Sequence, residues 1–196
     1  VIHPPILFLG FASTIIPFGY AMAGFMRKSH DWLKSAIPWA SFSAAILGLG
    51  IMMGAAWAYE SLSVGGYWAW DPVEIASLVP WLTLVAGLHT NMIAKSTGYS
   101  LRPTYFFYIV SFLLILYSTF LTRSGILGDT SVHAFTDLGM NTQLLVFLLI
   151  FVIPAFTIFA IRYKSIPSIA KEEETSSREF WMFIGSLVLL FSACLI

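Results

Sequence analysis

The chain has 196 residues, 58% of them hydrophobic and 10% charged, against about 45–50% and about 25% in an ordinary soluble domain. Ten lysines and arginines balance ten aspartates and glutamates, and there is one cysteine, Cys194. Net neutrality gives a nucleic-acid partner no electrostatic support, and a lone cysteine excludes an internal disulfide, a CxxC pair and a cysteine-ligated zinc.

Six apolar segments follow one another, at roughly 5–26, 36–59, 76–94, 104–122, 142–163 and 180–196. Blocks of about 18–24 apolar residues fit helices crossing a ~30 Å hydrocarbon core. They exclude a soluble enzyme, a disordered tail and an outer-membrane barrel, whose strands alternate over ~10 residues. Backbone groups in lipid must be satisfied within helices. The segments therefore predict an all-α, polytopic transmembrane bundle of about six spans, one membrane domain over 1–196. The sequence starts at Val1 and stops inside an apolar run at Ile196, which reads as an internal piece of a longer membrane protein. No basic region and cleavage site mark a signal peptide.

Nine of the ten basic residues fall in loops 27–34, 95–102 and 162–178, and Arg123 stands alone in the alternate loops. The positive-inside bias makes the first three cytoplasmic. Loops 60–74 and 123–141, with the N-terminal His3, then face the periplasm of a bacterium.

In chain order, the first segment opens with His3-Pro4-Pro5 at its outer mouth. Loop 27–34 carries His30 between Lys28 and Lys34 and beside Asp31, where a solvated imidazole is expected. Trp32, Trp39 and Trp181 fit interfacial anchors.

The outer loop that follows, over 60–77, is unusual. It reads Val64-Gly65-Gly66-Tyr67-Trp68-Ala69-Trp70-Asp71-Pro72-Val73-Glu74, and four of the seven tryptophans lie between Trp57 and Trp81. An aromatic belt needs no diglycine and no Asp-Pro. Gly65 and Gly66 permit a tight turn or close approach of a flat ligand. Trp68 and Trp70, two apart, share a face of an extended segment. Asp71 can cap a helix that Pro72 opens, with Glu74 third in it as in a capping box. Both readings of the carboxylates, cap and ligand contact, stand at this point. A short amphipathic helix is expected after Pro72.

His89 lies inside the third segment, about 15–20 Å below its outer end at 1.5 Å per residue. An imidazole at that depth is a functional candidate, with a hydrogen-bonded packing histidine as the plainer reading. The second outer loop, 123–141, carries Arg123 and His133. His3, His133 and the tryptophan platform thus belong to one side of the membrane. Two histidines from separate segments beside an aromatic face suit axial ligation of a haem iron. Arg123 suits an anionic group such as a haem propionate, or an interfacial anchor. The charged stretch Lys171 to Arg178 reads as a solvated loop, and Cys194 as a small packing residue.

The tryptophan loop resembles the WWD signature of haem-handling proteins in cytochrome c maturation. His3-Pro4-Pro5-Ile6-Leu7-Phe8-Leu9-Gly10, Pro80-Trp81 with His89 downstream, and Thr122-Arg123-Ser124-Gly125-Ile126-Leu127 followed by Ser131-Val132-His133-Ala134-Phe135 resemble the CcmF-type haem lyase in particular. The resemblance spans about residues 2–160 and departs from the family pattern at Val64, Tyr67 and Ile75. It implies a haem accepted on the outer face, with thioether bonds formed between its vinyls and the cysteines of an apocytochrome CxxCH motif. His3 and His133 match the pair that ligates this incoming haem. His89 matches one of two intramembrane histidines that hold a separate b-type haem, its partner lying in a later segment. The implied partners are a CcmE-like haem chaperone, CcmH- and CcmG-like thiol-handling subunits and the apocytochrome. The resemblance leaves open a CcsA-type synthase and exporter, and a haem carrier without lyase activity. A proton- or quinone-linked respiratory subunit would need intramembrane carboxylates, which the six segments lack.

Overall fold

The computed structural model describes residues 2–61, 68, 71–127, 131, 139–167 and 181. Among them are α1 (His3–Ser13), α2 (Ile15–Arg27), α3 (Trp32–Ser61), α4 (Pro72–Thr97), α5 (Leu101–Arg123), α6 (Asn141–Arg162) and a single 3-10 turn at Tyr163–Ser165, with no strand. Taken together, α1 and α2 make one apolar span. With α3, α4, α5 and α6 that gives five helical stretches long and apolar enough to cross a membrane. The protein is a multi-pass helical membrane bundle. The sixth expected span, 180–196, lies outside the described residues.

Local chemistry sets the breaks. Pro4 and Pro5 sit in the first turn of α1, where a missing N–H costs nothing. Between α1 and α2 the hydroxyls of Ser13 and Thr14 donate to the carbonyls of Gly10 and Phe11, both at 2.7 Å. Pro17 then supplies no N–H for the Ser13 carbonyl. The helix is interrupted there at Thr14 without ending the span. Gly98 closes α4 at φ 76°, its N–H donating to the Ala94 carbonyl at 2.9 Å, a left-handed cap that glycine adopts without strain.

One difference from the sequence expectation bears on the site. The helix opened by Pro72 is no separate amphipathic piece; it runs unbroken to Thr97. Val73, Ile75, Ala76, Leu78 and Val79 extend the apolar span upstream, and nothing between Pro72 and Pro80 stops a helix.

Without a hydrophobic drive between helices in lipid, close backbone approach through small residues must hold the bundle. The α1–α3 contact does this in an antiparallel register. A Cβ on Gly10 would come within 2.6 Å of the Leu47 Cα, one on Gly50 within 2.8 Å of the Leu7 Cα, and one on Gly54 within 2.7 Å of the His3 ring. Each step of three or four residues up α3 is matched by the same step down α1. α4 packs on α5 and α3, with Leu84, Tyr105 and Tyr108 fully buried. α6 lies outermost, with only Ala155 buried; its exposed Ile150 and Ile153 suit lipid.

At the end of the bundle opposite His3, an aromatic and polar cluster ties α2, α3 and α5 together. Phe25 stacks on Tyr105 with centroids 4.0 Å apart. The Trp32 indole N–H donates to the Tyr105 hydroxyl at 3.0 Å, and that hydroxyl lies 3.0 Å from His30 Nδ1. Trp32 is buried and His30 half-buried. Two expectations are corrected here: His30 is not a solvated loop residue, and Trp32 is not an interfacial anchor. Trp39 and Trp181 do remain exposed. Having accepted the indole proton, the Tyr105 hydroxyl has its own proton to give to a neutral His30. Burial lowers the His30 pKa below its ordinary 6.5, opposed in part by the charge of Asp31.

Two outcomes follow for purified protein in detergent. Gly10→Ala lowers the stability by about 1–3 kcal/mol, read by thermal unfolding, whereas Gly19→Ala, where an added Cβ meets nothing within 4 Å, leaves it unchanged or slightly raised. For His30, the unfolded chain takes up a proton at pH 6.5 and the folded chain only below that. The stabilisation is thus complete above pH 6.5 and is lost as pH falls through the lowered folded pKa. Melting temperature should drop from about pH 7.5 to about pH 5.5 more steeply in the parent than in His30→Asn.

Candidate functional site

The candidate site lies at the His3 end of the bundle. His3, in the first turn of α1, places Nδ1 3.0 Å from the Gly50 carbonyl of α3. A carbonyl only accepts, so Nδ1 carries the proton and Nε2 keeps its lone pair. Metal-binding imidazoles are oriented in this way, by donating the other N–H to a backbone carbonyl. Gly54 provides the flat seat on which the ring lies. His3, Leu7, Ile51, Gly54 and Ala55 line an open cleft of about 60 Å³ with Trp68, Val73, Glu74 and Ser77. That is room for about two waters, well under the ~300 Å³ of a small-molecule pocket.

Asp71 is the N-cap of α4. Its Oδ1 accepts the Val73 N–H at 2.8 Å and the Ser131 hydroxyl at 2.6 Å. The cap reading of Asp71 holds, with the bond made to the second helical residue. The same oxygen also holds Ser131, 60 positions on. Glu74, in the first turn of α4 and half-buried, faces the cleft, and its backbone carbonyl accepts from the Ser77 hydroxyl at 2.7 Å. Arg123 is the last residue of α5 and exposed, where a cation suits the helix C-terminus. Gly65, Gly66, Trp70 and His133 lie outside the described residues. The structure thus brings His3, Trp68 and Glu74 to one cleft and joins Asp71 to Ser131.

His89 is elsewhere. Because α4 starts at Pro72, His89 stands two-thirds of the way along it, about 26 Å from the first turn, deeper than the sequence estimate. Its Nδ1 donates to the Val85 carbonyl at 2.8 Å, and the residue is exposed on the helix surface. This is again the tautomer that leaves Nε2 as acceptor. Asn91, two residues on and so about 200° around the helix, is fully buried and donates to the Tyr108 hydroxyl at 2.9 Å. Asn91 faces the core and His89 faces away from it. Among the described residues no cluster of three or more histidine, cysteine or carboxylate side chains could hold a bare metal ion.

Sequence reasoning missed Gly50, Gly54 and Ser131. Gly50-Ile51-Met52-Met53-Gly54 has the GxxxG spacing of close helix pairs, and that signal was available. Nothing in the sequence marked Ser131 as the partner of Asp71.

The family of cytochrome C assembly proteins matches residues 1–127. The chain is similar to the cytochrome c-type biogenesis protein CcmF of Pseudomonas aeruginosa, 37% identical over all of this chain and 30% of that protein. It is 41% identical to the cytochrome c-type biogenesis protein CycK of Rhizobium meliloti over 82% of this chain and 24% of the relative. A solved structure of a cytochrome c haem lyase CcmF aligns with all of this chain and 29% of its own, at TM-score 0.73 and 30% identity. The chain spans about 30% of the length of such relatives.

The seat at Gly54 makes a direct test possible. Gly54→Ala should displace the His3 ring and break its bond to the Gly50 carbonyl. The expected result is faster modification of His3 by diethyl pyrocarbonate, followed by mass spectrometry, with His30 modification unchanged.

Proposed function

This chain belongs to the cytochrome c assembly protein family, and from that premise we propose that it accepts haem at the His3 end and supports its covalent attachment to apocytochrome c. The observation that carries this is the His3 imidazole, fixed by the Gly50 carbonyl with Nε2 left to bind, at a cleft shared with Trp68 and Glu74. On this reading His133 would be a second histidine holding the haem, Gly65, Gly66, Trp68 and Trp70 would offer it an apolar surface, and Arg123 would pair with a propionate.

The reaction adds a substrate cysteine S–H across a haem vinyl group. Sulfur bonds to one vinyl carbon, the proton ends on the other, and no oxidant or reductant is consumed. The substrate brings the nucleophile. This chain's residues act by orientation: His3 is held by α3, and the aromatic surface fixes the plane presented to the thiols. Orientation of that kind is worth several kcal/mol of barrier.

His89 would hold a resident b-type haem from one side. That group supplies electrons to keep the incoming iron reduced. The fit rests on the imidazole itself, with Nδ1 bonded to Val85, Nε2 available, and the ring on a face of α4 that no described helix covers. The basic-residue bias of the loops supports a bacterial inner membrane with the His3 end toward the periplasm. The partners on this reading are a CcmE-like haem chaperone, CcmH- and CcmG-like subunits and the apocytochrome.

The test uses the intact protein in its own membrane and then in detergent. His89→Ala should abolish the resident b-type spectrum in a pyridine haemochrome assay. His3→Ala and His133→Ala should spare that spectrum and lower both uptake of added haem and cytochrome c assembly at least about tenfold. Normal assembly with His133→Ala would sink the outer-face reading.

A further inference from the structure

Two outer segments 60 positions apart in sequence meet at one oxygen. The Ser131 hydroxyl donates to Asp71 Oδ1 at 2.6 Å, the usual length for a hydroxyl bonded to a carboxylate. The Ser131 N–H donates to the Leu127 carbonyl at 3.0 Å, and the residue is 9% exposed. Asp71 is itself held, because the same Oδ1 caps α4 through the Val73 N–H. Ser131 is thus clamped at both backbone and side chain, onto a carboxylate that follows Trp68-Ala69-Trp70 directly, and two residues before His133.

We propose that Ser131 is a positioning residue that holds the histidine-bearing loop to the tryptophan loop through Asp71. This rests on the haem-binding reading given above and adds to it the connection between its two halves. The carboxylate of the Trp-Asp-Pro sequence is then a strut between loops, and need not touch haem at all. A hydroxyl is required at 131, and a carboxylate or another short acceptor that still caps a helix is required at 71.

The experiment compares Ser131→Ala with Ser131→Thr in the intact protein, each titrated with ferric haem b in detergent. Ala should weaken haem binding about tenfold and shift the added haem from a low-spin, six-coordinate spectrum toward a high-spin one. Thr, which keeps the hydroxyl, should restore both. The resident haem spectrum should not change in either. A second readout needs no haem: tryptic cleavage after Arg123, the one basic residue of the 123–141 loop, should quicken in Ala and not in Thr. Ala matching the parent in affinity, spin state and cleavage would overturn the proposal. A parent that takes up no outer haem, with cleavage still quickened only by Ala, would overturn the haem reading while upholding the strut between loops.

Discussion

The rest of the molecule depends on how closely α1 lies against α3. Lipid gives two apolar helices no reason to associate except contact, and contact is short-ranged. Gly10, Gly50 and Gly54 remove the side chains that would keep the backbones apart. The interval they set fixes more than stability. It puts the Gly50 carbonyl within hydrogen-bond reach of an imidazole at the end of α1, so the packing also fixes the orientation of the His3 ring. A slip of one turn between these helices would leave His3 without its partner.

The two ends of the bundle solve different problems. At the far end, His30, Trp32 and Tyr105 share one hydroxyl, and Asn91 is tied to Tyr108. These bonds tie α3, α4 and α5 together by polar contacts that each satisfy a buried donor, and the Phe25–Tyr105 stack adds α2. At the His3 end the helices are locked by glycine, which leaves an open cleft lined by His3, Trp68 and Glu74. Rigid polar anchoring at one end and close apolar packing at the other let the cleft stay open without loosening the fold.

Much of this was legible in the sequence, for physical reasons. Span number and limits follow from hydropathy, which is local, and five helical stretches stand where the apolar segments do. His3 was legible because it breaks an otherwise apolar opening. What failed needed knowledge of distant neighbours. His30 and Trp32 look like loop and interface residues until Tyr105, 75 and 73 positions away, closes over them. Pro72 looks like the start of a short surface helix because Asp71 caps it, yet a cap says nothing of length. The cap on Asp71 was readable from Pro72 and Glu74, and the link to Ser131 was not.

The oxygen that caps α4 carries a thermodynamic consequence. Asp71 Oδ1 serves the first turn of a membrane span and Ser131 at once, so fraying of that turn also strains or breaks the bond to Ser131. Opening at either place is then dearer by the free energy of the shared contact, about 1.5–3 kcal/mol for a hydrogen bond to a charged group.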